Sequence, residues 1–164
     1  AVSGFKSGDL LTMLFPDVIS DRADIVSIMI GTNDMRRTND AHRALHTGIG
    51  EYEKNLRYVA DKLTENGSSV ILTTIPPFCM DKITANLDGY NILYTEDDRH
   101  TFNAVVRRVA RDCGALVNDM DEAYAKYTAA ELTLDDGLHL NELGQKLLAE
   151  KLLPVIVSQI VQKR

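Results

Sequence analysis

The chain has 164 residues, of which 45% are apolar and 26% charged, which suits one globular domain with a sizeable core. Its formal net charge of -6 argues against non-specific nucleic-acid binding, because displacing counterions from phosphates needs a basic surface. Two cysteines, Cys79 and Cys113, are too few for a disulfide scaffold or a closed zinc site, and no apolar run is long enough to span a bilayer.

Strand-like and helix-like segments alternate, which predicts an α/β fold with a parallel sheet. Residues 24–30 form a short apolar run ending at Gly31 and are expected as a buried strand. Ile49, Tyr52, Leu56, Val59 and Leu63 then recur at helical spacing, and Asn66-Gly67 supplies a stop. Residues 70–75 make the next strand, halted by Pro76-Pro77. Residues 78–96 show no clear period and are expected as a loop over one end of the sheet. Phe102, Val105, Val106 and Val109 mark another helix, closed by Gly114, before a third strand at residues 115–117. The last helix is expected to start near Asn141 and to end or kink at Pro154.

Three short blocks carry residues suited to chemistry. Gly31-Thr32-Asn33-Asp34 follows directly from a strand, where ligands of open α/β sheets bind. An Asn amide there can face a developing negative charge, although Gly, Asn and Asp also form ordinary turns. In Asp136-Gly137-Leu138-His139 a carboxylate sits three residues before an imidazole that it could orient, and a plain surface loop is the alternative. Val2-Ser3-Gly4 offers a backbone N–H unobstructed by a side chain, or simply a frayed terminus.

Together these blocks resemble the SGNH hydrolases, also called the GDSL esterase/lipase family. Gly31-Thr32-Asn33-Asp34 matches the family's GxND block, Asp136-Gly137-Leu138-His139 its DxxH block, and Val2-Ser3-Gly4 resembles the block of its oxyanion glycine. The resemblance implies one domain over residues 1–164 with a three-layer α/β/α, flavodoxin-like fold. It also implies serine-dependent hydrolysis of carboxylic esters. His139 would be the general base, Asp136 its orienter, and Asn33 and Gly4 oxyanion-hole donors. No metal or organic cofactor is implied. The expected substrate is a small-molecule or carbohydrate ester with a short acyl group, such as an acetylated sugar. The 78–96 loop is expected to shape its pocket, and Phe78, Met80, Tyr90, Ile92 and Tyr94 there either line a small apolar or sugar-stacking surface or simply pack the loop.

The family's Gly-Asp-Ser block, which supplies the nucleophile, has no match. Seven serines are present (Ser3, Ser7, Ser20, Ser27, Ser68, Ser69, Ser158), and none sits in such a block, so the nucleophile is assigned to no residue. That block follows the family's first strand, which is central in the sheet. Its loss would leave unpaired backbone and exposed apolar faces. The domain is therefore expected to be incomplete at its N-terminus, lacking the first strand and helix, with a fragment of the same protein as a possible partner. His42, His46 and His100 match no block, and Leu140 stands where many members carry proline. Two other classes remain: an inactive SGNH-fold binding domain, and an unrelated flavodoxin-like binder, for which no glycine-rich phosphate loop is found.

Overall fold

The computed structural model describes residues 2–86 and 91–162. Its centre is a parallel sheet of β1 (Ile25–Ile28), β3 (Ser69–Thr73) and β5 (Leu116–Asn118) in the order β1-β3-β5. Ile25 pairs with Ser69 and Ile28 with Leu72, while Ile71 pairs with Leu116 and Thr73 with Asn118. A middle strand is covered on both faces, and Ser69-Val70-Ile71-Leu72-Thr73 reads accordingly: Val70, Ile71 and Leu72 are all buried.

Parallel neighbours need crossovers, and α2 (Ile49–Glu65) and α4 (Glu96–Cys113) supply them. Their apolar stripes meet in the main core, where the rings of Tyr52 and Phe102 lie 4.7 Å apart. Thr95 caps α4 by accepting from the Asp98 N–H (3.1 Å). Gly114, at φ 68°, closes it in the left-handed conformation. Ion pairs cross-link the helices, with Arg108 on Glu53 (2.6 Å) and Arg57 on Asp112 (3.0 Å).

A second apolar cluster joins Met120, Ala123, Tyr124, Leu132 and Leu140 to Leu143, Leu147 and Leu148 of α7 (Glu142–Gln162). The short helices α5 (Asp121–Tyr124) and α6 (Ala129–Leu132) frame it. Leu140 is thus a core residue. Before the sheet, α1 (Ser7–Met13) runs into a π-helical turn, Leu14–Ile19. Cys79 and Cys113 are half-buried free thiols, and burial pushes Cys113 up to about 11.

Two expectations need correction. β1 is not fully buried: Ile25, Val26 and Ile28 are half-buried and Ser27 is exposed, because among the described residues β1 has a strand partner on one side only. Residues 78–96 are not a plain loop but contain α3 (Met80–Asn86) and β4 (Ile92–Leu93), which pairs antiparallel with β2 (Arg37–Thr38). Within that segment Phe78 and Tyr94 belong to the main core. They are buried against one another with ring centroids 5.3 Å apart, and Tyr90 lies outside the described residues. Pro154 does not end the last helix, which continues to Gln162. Both Pro154 and Glu150 are exposed, so water can satisfy the Glu150 carbonyl that the ring displaces. Among the described residues no helix is long and apolar enough to cross a membrane.

Candidate active site

The turn after β1 is built on a glycine that nothing else can replace without strain. Gly31 has φ 130°, and a Cβ there would fall 2.5 Å from Ile75 Cδ1 and 2.9 Å from the Tyr52 hydroxyl. That hydroxyl donates to the Ile30 carbonyl (3.0 Å), and the Met35 N–H closes the turn onto Gly31 O (2.9 Å). Asn33 is thereby held at the carboxyl end of the strand. Its Nδ2 donates one hydrogen to Phe5 O (2.9 Å), which ties the turn to the segment following Gly4. The second amide hydrogen has no protein acceptor among the described residues. Gly4 itself has φ 79° and is exposed. Asn33 and the Gly4 segment, 28 positions apart at the Phe5 bond, are therefore brought together.

Asp34 performs a task that sequence reasoning missed. It is fully buried, and its carboxylate accepts from the Ser7 N–H (2.9 and 3.1 Å) and the Ser7 hydroxyl (2.6 Å). Asn55 of α2 in turn donates to Ser7 Oγ (3.1 Å). This buried network clamps the start of α1 onto the turn, and it removes Ser7 from any role as an accessible nucleophile. The partners lie 27 and 48 positions apart, so no local pattern announces them. Ser7→Ala leaves a buried carboxylate and a buried amide short of partners, and should cost about 1–3 kcal/mol of stability. Chemical denaturation checks this; an unchanged midpoint would show that the network does not hold the turn.

Asp136 and His139 meet as their spacing suggests. Asp136 Oδ2 lies 2.6 Å from His139 Nδ1, while Oδ1 accepts from the N–H groups of Leu138 (2.9 Å) and His139 (3.0 Å). Burial opposes ionisation of Asp136, but the imidazole and the backbone donors of His139 and Leu138 outweigh it. Its carboxyl is held below the ordinary carboxylate range. The His139 side chain is 71% exposed, with Nε2 directed away from Asp136 and open to a ligand.

The loop is fixed from behind. Gly137, at φ 73°, packs so closely that a Cβ would lie 2.5 Å from the Cys79 carbonyl, and the Cys79 N–H donates to Gly137 O (2.8 Å). Lys82 on α3 donates to the carbonyls of Ala130 (2.8 Å), Thr133 (2.8 Å) and Leu134 (3.2 Å). Neither contact is visible from the Asp-x-x-His spacing. Downstream, Asn141 Oδ1 accepts from the Gly144 N–H (3.1 Å) in the first turn of α7. No hydrogen bond joins Asn33 or Gly4 to Asp136 or His139 among the described residues. No serine lies in hydrogen-bond contact with the His139 ring there, and no group of metal-binding side chains is found among them.

A parallel α/β sheet carries an Asn turn at one strand end and an Asp-His pair before the last helix. The profile of the GDSL-like lipase/acylhydrolase family matches residues 1–147, and the chain belongs to that family. Over 99% of its length it is 29% identical to an acetylxylan esterase of Geobacillus stearothermophilus, of which it covers 73%. It is 22% identical to a GDSL esterase/lipase of Arabidopsis thaliana over 90% of this chain, and spans 60% of that relative's length. The crystal structure of an acetyl xylan esterase superposes with a TM-score of 0.74 at 22% identity, covering 94% of this chain and 78% of the other.

Proposed function

We propose that the protein hydrolyses carboxylic esters with a short acyl group, such as acetylated carbohydrates, by serine-dependent acyl transfer. The observation that carries this reading is the 2.6 Å contact between Asp136 and His139 on an exposed, rigidly backed loop. Asp136 fixes the imidazole tautomer with Nδ1 protonated, which leaves Nε2 to accept a proton from a serine hydroxyl. The serine Oγ attacks the ester carbonyl, and the tetrahedral oxyanion is held by the free Asn33 N–H and the Gly4 backbone N–H. His139 then protonates the leaving alcohol, and water repeats the sequence to release the acid. The similarity to an acetylxylan esterase supports the choice of acyl group.

The nucleophile in this proposal is a serine on a strand that pairs with the open edge of β1. The half-buried side chains of that edge strand support it. The test is intact mass of the purified protein before and after a fluorophosphonate, alongside acetate release from acetylated xylo-oligosaccharides. One adduct on a serine outside these 164 residues, with acetate release, is the expected result. No adduct and no acetate from the purified full-length protein would favour the inactive binding domain instead.

Lys82 has a place in this proposal as a positioning residue. Lys82→Met frees the carbonyls of the segment that precedes the Asp136 loop, and should lower kcat by roughly ten- to a hundredfold, with KM little changed. Lys82→Arg, which still donates, should recover part of the loss. Equal kinetics for both variants and the parent would remove the lysine from the account.

A further inference from the structure

Beside the Asn33 turn lies a cleft of about 250 Å³ whose walls include Arg36, Thr38, Leu45, His46 and Ile92. Extended pairing of the chain just after the turn builds it: the His46 N–H donates to Arg36 O (2.8 Å) and the Thr47 N–H to Asp34 O (3.1 Å). This brings the Arg36 guanidinium against the His46 ring, with Nη2 3.0 Å from each ring nitrogen. Arg36 follows the Asn33 turn by three residues, and Thr47, next to His46, is tied back to Asp34 of that turn.

The chain carries -6 overall, yet two cations, Lys6 and Arg36, bear on His46 against the one carboxylate of Asp34. Burial and these two cations hold the imidazole below its ordinary range, which favours the neutral ring against which the Arg36 guanidinium lies. The nearby carboxylates are engaged elsewhere. Asp34 is sealed by Ser7, Asp9 accepts from the Lys6 backbone N–H, Asp98 takes Arg37 in a two-pronged pair, and Asp40 accepts from the N–H groups of His42 and Arg43. Among the described residues neither Arg36 nor Lys6 forms an ion pair. A half-buried guanidinium without a carboxylate, aimed into a cleft beside a reacting centre, suits a planar anion on the substrate.

We propose that Arg36, with His46 beside it, receives a carboxylate on the alcohol half of the ester. The inference rests on Asn33 marking the reacting carbonyl as proposed above. An acetyl group has no room for a charge, so with a short acyl group the carboxylate must belong to the alcohol.

The test compares two acetyl esters that differ in one group, 4-acetoxybenzoate and 4-acetoxybenzamide, with the full-length enzyme. The carboxylate ester is expected to have the higher kcat/KM, by about fivefold at low salt, and the preference should shrink as salt screens it. Arg36→Gln should bring the ratio of the two kcat/KM values to about one. Turnover of both esters at equal efficiency, or an unchanged ratio in Arg36→Gln, would overturn the anion site and leave the esterase proposal standing. A ratio that favours a carboxylate only on the acyl half, tested with phenyl hemisuccinate against its amide, overturns the assignment too. If neither acetyl ester is hydrolysed, the esterase proposal itself fails and this inference fails with it.

Discussion

Replacing His139 by alanine should abolish ester turnover in the full-length protein while leaving the fold intact. Under the proposed mechanism this imidazole takes the serine proton and returns it to the leaving alcohol, so both halves of the reaction pass through one group. In serine hydrolases whose triad acts as a unit, the loss of the base costs about a millionfold in kcat. The fold should survive because the ring is 71% exposed and its hydrogen bond is to Asp136, in the same loop. Circular dichroism and a thermal midpoint near the parent's, together with a kcat lowered about a millionfold to the residual catalysis of the oxyanion hole, are the expected readings. Asp136→Asn should cost about ten-thousandfold, because the amide can favour the wrong tautomer. A His139→Ala protein that keeps even a few per cent of the parent rate would remove His139 from the reaction.

Asn33→Ala should slow turnover without abolishing it. The loss of one oxyanion-hole donor costs about 10²–10³ in kcat, and KM should change little, because the charge it stabilises exists only in the transition state. A structural penalty accompanies this one, since the same amide ties the turn to Phe5 O. That bond should contribute about 1 kcal/mol to stability. The two effects separate in the measurement: a folding defect lowers the active fraction and a titration with the fluorophosphonate counts it, whereas a missing donor lowers the rate per titrated site. A full rate per titrated site would leave Asn33 as a tether alone.

The helices and the central strand were legible because burial imposed a period on them. Tyr52, Leu56, Val59 and Leu63 recur along one face of α2, and they do so because that face meets Phe102, Val105 and Val109 of α4. α3 escaped because a short helix with Ile83 as its one deeply buried side chain has no period to detect. β1 was misjudged for a different reason: an apolar run predicts burial only when something lies on both sides of it, and strand order is not written in composition. At the site, the Asp136–His139 contact was readable because both partners are local. The support behind it was not. Lys82 reaches carbonyls some 50 positions away, and Ser7 finds Asp34 across 27. Long-range polar contacts leave no periodicity, and each uses residue types that are as common on surfaces as in cores.

The free edge of β1 has a consequence for handling these 164 residues on their own. A strand with no strand partner on one edge among the described residues, and with half-buried Ile25, Val26 and Ile28, is a template for any other extended chain. A second copy can dock there, edge to edge. Such a preparation should therefore show concentration-dependent association and a colloidal stability that worsens with salt, as the screening of a net charge of -6 weakens the repulsion between copies.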